Sequence, residues 1–385
     1  MRPLNPVFAG LPTTIFTVMS ALAVQHKAIN LGQGFPDRDG PEEIRAVAAE
    51  ALLKGPNQYP PMTGVPELRQ AVAAHAGAHY GLTYDPGNEV LVTSGGTEAL
   101  TAAILGLVAP RDEVVLIEPA YDSYRPIIEA AGGSVRTLTL QPPHWRLTEA
   151  AVEAAITPKV KLVMVNSPLN PAGRVFDDKE RALLAAAILK ADALAICDEV
   201  YEHLTFDGKR HVPLASLPGM RERCLRAGSA GKIFSLTGWK VGWLTGDRAL
   251  IAAAAKAHQF LTFTTPPALQ LGVAHGLNQC MDFPAALTGR LQANRDLLAQ
   301  GLSKLGFAVL PSEGTYFLLA GIAGLTQEKD RAFAERLVRE AGVAAIPLSV
   351  FFTVGQPDTY LRFAFCKEAA LIEEALARLT RYLRA

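Results

Sequence analysis

Four short stretches of this chain set reactive side chains where the backbone is expected to turn. In Thr93-Ser-Gly-Gly-Thr97-Glu-Ala-Leu100 an apolar run ends, two glycines allow a tight turn, and a helical pattern opens at Gly96 and Thr97. The free amides and positive end of such a helix make an anion cradle. Taken alone, a plain strand-to-helix turn with Thr97 as its cap is the simpler reading. Asn170-Pro-Ala-Gly173 follows the apolar run 160–165 and carries an amide side chain on a Pro-Gly turn. Asp198 closes the run 193–197, with Tyr201 three residues on. Lys232 lies in a small-residue loop that starts at Gly228 and includes Ser229, and Lys240 stands eight residues further along.

Each stretch has a bland counterpart: a cap, a turn, a solvated lysine. Together they suit one ligand, an aldehyde that also carries a phosphate and a basic ring nitrogen. Lysine would form the imine, the strand-end carboxylate would protonate the ring nitrogen, and helix amides would hold the phosphate. Pyridoxal 5'-phosphate has that set of groups. Other motifs fall short. His75 and His79 are four apart, but no Glu follows the first as in a metalloprotease helix, so they read as two surface histidines and no metal is expected. Gly32-Gln33-Gly34 lacks the third glycine of a dinucleotide loop. Ser229 sits in Gly-Ser-Ala-Gly, which is not the frame of a nucleophile elbow.

The elements that must position these groups show as alternating patterns. Residues 89–93, 113–117, 135–139, 160–165, 193–197 and 241–245 read as strands, with helical spacing at 98–107, 148–156 and 177–189. Such alternation predicts an α/β fold with a mostly parallel sheet covered on both faces, whose ligands bind at the carboxyl ends of the strands. The first 40 residues are rich in Pro and Gly, and the last hundred combine a long helical pattern at 285–305, strands at 315–320 and 360–365, and a final helix. A smaller α+β unit built from both termini is expected from this.

Composition narrows the class. The 385 residues carry 37 Lys+Arg against 37 Asp+Glu, with 49% hydrophobic and 19% charged residues. Zero net charge argues against a nucleic-acid or anionic-membrane binder, since both need a cationic surplus. No uninterrupted apolar run reaches the ~18 residues of a membrane span. The four cysteines are scattered, without a Cys-x-x-Cys pair, and no export signal is read at the N-terminus, so a cytoplasmic protein with reduced thiols is expected.

An ordered set of motifs then points to a family. It comprises Leu-Pro-Thr-Thr-Ile-Phe-Thr-Val-Met-Ser from Leu11, Asn-Leu-Gly-Gln-Gly-Phe-Pro-Asp from Asn30, Asn57-Gln-Tyr59, the Gly95-Gly96-Thr97 turn and Asp198-Glu-Val-Tyr201. It continues through Ser229-Ala-Gly-Lys232, Thr237-Gly-Trp-Lys-Val-Gly-Trp243 and Leu361-Arg-Phe-Ala-Phe-Cys-Lys367. The chain resembles, nearly end to end, the fold type I, class I/II aminotransferases that use pyridoxal phosphate, and in particular the kynurenine, glutamine and methionine branch. The resemblance implies a large domain over 41–281 around a mixed, mostly parallel seven-stranded sheet. It also implies a small α+β domain from 1–40 and 282–385.

By resemblance, Lys232 is the cofactor lysine and proton carrier, Asp198 the partner of the pyridinium nitrogen, and Tyr201 with Asn170 the donors to the phenolic oxygen. Tyr121 would stack on the ring. Gly96, Thr97, Ser229, Lys240 and, from a neighbouring subunit, Tyr59 would hold the phosphate. Arg362 would grip the substrate α-carboxylate, assisted by Asn170 and the backbone of Gly34. Ile15, Phe16, Tyr59 and Phe263 would form an apolar rim, with Tyr59 and Phe263 completing the partner subunit's site, which would make a homodimer obligatory. Three departures stand out: Ala172 for the commoner Thr, Gly231 for Ser, and Lys240 for Arg, which exchanges a forked donor for a point charge.

The implied activity is ping-pong transfer of an amino group from a methionine-, aromatic-, kynurenine- or glutamine-like L-amino acid to a 2-oxo acid. One methylene shifts discrimination by only ~1–3 kcal/mol, so broad specificity is expected. N-succinyl-diaminopimelate aminotransferase and cysteine-conjugate β-lyase are the alternatives on the same scaffold. A non-catalytic DNA-linked sensor fits worse, because neither a helix-turn-helix nor a basic stretch is read ahead of the small-domain segment.

Overall fold

The computed structural model describes residues 2–384. Seven strands form the central sheet: β1 (Val90–Thr93), β2 (Glu113–Glu118), β3 (Ser134–Thr139), β4 (Val160–Asn166), β5 (Leu194–Asp198), β6 (Cys224–Ser229) and β7 (Gly242–Gly246). Their spatial order is β1-β7-β6-β5-β4-β2-β3. β7 runs antiparallel to both neighbours, and every other pairing is parallel. Side chains alternate between two cores. Val115, Ile117, Val163, Val165 and Cys197 face one, while Val114, Leu116, Leu162, Met164 and Ile196 face the other. This two-sided burial explains why the strands read as unbroken apolar runs.

Six of the strands coincide with those runs to within about a residue. The seventh, β6, escapes an apolar scan because Arg226 and Gly228 interrupt it. Both have structural reasons to be there. Arg226 is buried between two carboxylates, its Nε 2.5 Å from Glu199 Oε2 and its Nη2 3.2 Å from Glu202 Oε2. At Gly228 a Cβ would lie 2.2 Å from the Trp243 indole nitrogen of β7, so only glycine lets the two strands pair there.

Helices cover both faces. Gly96–Leu107 packs along Arg248–Leu261 on one side. Helix Asp178–Lys190 covers the other, its start fixed by a capping box in which Asp177 and Glu180 exchange side-chain and backbone hydrogen bonds. Helix Pro66–Tyr80 corrects one expectation: His79 is exposed, but His75 is buried against the turn that follows β5, where its Nε2 meets His203 Nε2 at 2.7 Å.

A second sheet of four antiparallel strands has the order Ile346–Pro347, Tyr360–Ala364, Phe317–Gly321, Ala308–Val309. Helices Phe283–Lys304 and Ala369–Leu383 pack together beside it. The N-terminal segment joins this unit: Ile29–Asn30 pairs in parallel with Val343–Ala344, and the Ala364 amide donates to the Leu31 carbonyl. Tyr360–Ala364 carries Arg362, so this pairing brings residues near 30 beside it.

Removing Arg226 leaves Glu199 and Glu202 buried without their cation. Arg226→Ala is expected to destabilise the fold by about 3–5 kcal/mol, read as a lowered urea midpoint. A midpoint within error of wild type would show that the network contributes nothing.

Candidate active site

The parallel strands β4, β5 and β6 end side by side and deliver Asn166, Asp198 and Ser229 to one rim of the sheet. They open on a cleft of about 470 Å³. Asp198 is buried, with its carboxylate held from two sides: Tyr124 Oη donates to Oδ2 at 2.5 Å and the Val200 amide to Oδ1 at 3.3 Å. Burial pushes its pKa up from the ordinary carboxylate value, and Tyr124, the Val200 amide and the charge of Lys232 oppose that rise. Asn166 ties the strand ends together. Its Nδ2 donates to the Asp198 carbonyl and its Oδ1 accepts from the Asn170 amide, both at 2.9 Å.

Lys232 is set on the turn Ala230–Ile233 that leaves β6. Its Nζ donates to Tyr316 Oη at 2.8 Å, and Tyr316 Oη in turn donates to the Gly34 carbonyl. Burial lowers the ammonium to about 8, so the neutral amine is already present near neutral pH. Tyr201 packs edge-on against Tyr316 with ring centroids 5.2 Å apart. On the far wall, Gly95 has φ +83° and precedes the helix whose first residues are Gly96 and Thr97. The first-turn amides of that helix have no partner within it. Lys240, itself at φ 54°, lies against this turn: a Cβ on Gly95 would sit 3.5 Å from Lys240 Nζ.

Arg362 closes the cleft from the second sheet and is only 2% exposed. Its Nη1 donates to Asn170 Oδ1 at 2.9 Å and its Nη2 to the Gly32 carbonyl at 2.8 Å, while the guanidinium lies 3.8 Å from the centroid of the Phe317 ring. Nε is buried without a hydrogen-bond partner. No carboxylate pairs with this side chain among the described residues, and burial lowers its pKa to about 10. A cation held this way has donors and charge to offer an incoming carboxylate.

Residues 26–379 match the family described as aminotransferase class I and II. A probable N-succinyldiaminopimelate aminotransferase, DapC, of Mycobacterium tuberculosis is 45% identical, with 96% of each chain covered. The methionine aminotransferase of Escherichia coli is 42% identical, again over 96% of each chain. The chain belongs to the class I and II aminotransferases. The solved N-succinyldiaminopimelate aminotransferase from M. tuberculosis superposes with a TM-score of 0.96 at 44% identity, covering 99% of this chain and 100% of that one. The fold is therefore the fold type I expected, the chain is a transaminase, and its cofactor is pyridoxal 5'-phosphate.

The cleft of this aminotransferase fits that cofactor. It offers a buried primary amine, a buried carboxylate and free helix amides beside a lysine, each on a different wall. Of the residues expected at the site, Phe16, Gly34, Gly96, Thr97, Tyr121, Asn170, Asp198, Tyr201, Ser229, Lys232, Lys240 and Arg362 all line it. Three do not. Ile15 turns into the hydrophobic core instead of the rim, because its position on helix Ile15–Gln25 shares the buried face with Met19. Tyr59 and Phe263 lie outside the cleft, packed edge-to-face on each other at 5.4 Å, and Tyr59 is 82% exposed. Gly34 lines the cleft, with its carbonyl accepting from Tyr316, while Arg362 reaches the Gly32 carbonyl.

Several residues at the site go unnoticed in the sequence: Tyr124 on Asp198, Tyr316 on Lys232, Asn166 beneath Asn170, and Phe317 under Arg362. Tyr124 lies three residues past Tyr121 and Asn166 directly follows the apolar run 160–165, which are the signals that could have found them. Tyr316 and Phe317 show only as ordinary strand aromatics.

The lowered pKa of Lys232 has a measurable consequence in the cofactor-free enzyme. Only the neutral amine attacks an aldehyde, so the rate of pyridoxal phosphate capture should rise about tenfold per pH unit below about 8 and level off above it. Absorbance-monitored reconstitution across pH 6–10 checks this, and a rise continuing to pH 10 would mean that the lysine behaves as an exposed one.

Proposed function

We propose that this aminotransferase moves the amino group of an L-amino acid with an uncharged side chain, of the methionine, aromatic, kynurenine or glutamine type, to a 2-oxo acid in two half-reactions. One observation carries the choice. Among the described residues the cations lining the cleft are Lys232, Lys240 and Arg362, and the other ionisable charge besides Asp198 is the negative Asp122. The two lysines serve the cofactor and Arg362 serves the α-carboxylate, so this chain has no further cation for a second acidic group. Phe16, Phe35 and Phe317 offer apolar surface in its place.

Bound in the cleft, pyridoxal phosphate supplies the carbonyl carbon that receives the amino group and the ring that takes up the electrons left when the α-proton departs. The protein supplies the rest. Asp198, whose carboxylate accepts from Tyr124 and the Val200 amide, would hold a proton on the ring nitrogen. Asn170 and Tyr201 would serve the phenolic oxygen, Tyr121 would stack on the ring, and Gly96, Thr97, Ser229 and Lys240 would hold the phosphate. Arg362 binds the α-carboxylate, which gives its buried charge the counter-ion it lacks. Lys232, with its pKa near 8 and its amine oriented by Tyr316, takes the α-proton as a general base and returns it as an acid.

The same reading makes the enzyme a homodimer whose subunits lend each other Tyr59 and Phe263. The supporting observation is the exposure of Tyr59 at 82%, packed on the half-exposed Phe263 and sharing a groove with Leu52, Pro60, Pro266 and Pro267, an apolar patch that a second copy would cover. The large and small domains, 41–281 against both termini, would then close over the shared cleft. Four free, buried cysteines suit the reducing cytoplasm.

A second reading, N-succinyl-diaminopimelate as substrate, is favoured by the 45% identity to DapC. A donor-by-acceptor matrix decides between them: methionine and phenylalanine should show the highest kcat/KM. A value more than tenfold higher for N-succinyl-diaminopimelate would install the second reading. Arg362→Ala should raise KM for every amino donor by at least tenfold, and an unchanged KM would refute its assigned role. Sedimentation should give twice the chain mass, with loss of activity on dilution to monomer; a fully active monomer would end the dimer reading.

A further inference from the structure

The side of the β5 turn that faces away from the cleft carries a group of side chains that transamination does not use. His75 and His79 are one helical turn apart on Pro66–Tyr80, and His203 reaches them from the turn that follows Asp198. The three imidazoles each offer a ring nitrogen, and these nitrogens lie within 4.8 Å of one another. The ring centroids form a nearly regular triangle, with His75–His79 at 4.6 Å and both distances to His203 at 5.0 Å. Three imidazoles on one tetrahedral zinc ion, at Zn–N of about 2.0–2.1 Å, would have their nitrogens roughly 3.3 Å and their centroids about 5 Å apart. The triangle already has that size.

We propose that His75, His79 and His203 bind a divalent transition-metal ion of the zinc type, which staples helix Pro66–Tyr80 to the turn carrying Asp198 and Tyr201. Neutral imidazoles suit Zn²⁺, Ni²⁺ or Cu²⁺, while Mg²⁺ and Ca²⁺ require oxygen ligands. Burial favours the neutral form of His75, which is pushed down to about 3, and lowers His203 as well, so both rings hold a lone pair at neutral pH. To make their 2.7 Å contact, one of these two rings carries its proton on Nε2. The ion takes the place of that proton, which moves to Nδ1 of the same ring through solvent. Little reorganisation is needed, since the two nitrogens have to separate by only about half an ångström to reach the tetrahedral spacing.

The surroundings are also suitable. His79 is exposed and His203 half-buried, so the ion enters from solvent and its fourth position is left to water. Glu202, next to His203, brings a buried carboxylate to the same side of the turn. The His203 carbonyl accepts from Thr288 Oγ1 at 2.9 Å, which anchors the ligand's backbone. A cysteine-containing group elsewhere, Glu43 with His275 and Cys280, is a looser alternative, since Glu43 is largely exposed.

The test uses the holoenzyme, stripped with a chelator and titrated calorimetrically with Zn²⁺. Expected are one ion per chain, binding in the micromolar range or tighter, and an unfolding midpoint raised by roughly 3–6 °C at a hundredfold excess over Kd. His79→Ala, whose side chain is exposed, should fold normally, keep wild-type turnover in metal-free buffer, bind at least tenfold more weakly and lose the midpoint shift. His203→Ala should behave alike, and Co²⁺ in the wild-type site should give the intense visible absorption of a tetrahedral centre. Binding no tighter than millimolar, or equal affinity in wild type and His79→Ala, would overturn the proposal; in the second case the ion belongs elsewhere.

Discussion

A guanidinium buried without a carboxylate is the constraint around which this molecule is arranged. Arg362 is almost fully enclosed and is supported by an amide oxygen, a backbone carbonyl and an aromatic face. Leaving a charge in such a place is costly unless something completes its shell. The partial shell comes from Asn170 at the end of the large sheet, Gly32 in the N-terminal segment and Phe317 on the neighbouring strand. Three distant parts of the chain therefore converge on one side chain, and that convergence shapes the cleft.

The turn after β5 shows how one short segment serves two opposite purposes. Asp198 and Tyr201 face the cleft, where burial shifts both away from their ordinary pKa values and where partners are only partly supplied. Glu199 and Glu202 face the other way and are fully engaged by Arg226. His203 adds the histidine group on that same side. Complete pairing behind the turn gives it rigidity, and incomplete pairing in front leaves charge for a ligand. Tuned groups beside a satisfied network are the pattern expected of a site whose chemistry depends on shifted protonation.

The same contrast explains which features are visible in the amino-acid order. Six strands are legible because a strand buried on both faces must be apolar along its length. β6 is not, because its arginine is satisfied by acids 24 and 27 residues away in the chain. Asp198 and Asn170 stand out because each lies at or just past the end of a legible strand, and Lys232 because it sits in a run of small residues that starts at Gly228. Tyr124 and Tyr316 do not, since their partners are 74 and 84 residues away and nothing local distinguishes them from core aromatics.

The sequence by itself determined the family and the cofactor, and it marked most of the side chains that line the cleft, since ordered motifs and the burial demands of strands are local properties of a chain. Tertiary structure alone decided which residues touch them: that Arg362 leans on Gly32, that Ile15 belongs to the core, that Tyr59 and Phe263 stand outside this chain's cleft, and that a third histidine joins two others. Such contacts, and the pKa shifts that follow from them, depend on the sum of neighbours contributed by segments hundreds of residues apart. No periodicity along the chain encodes that sum.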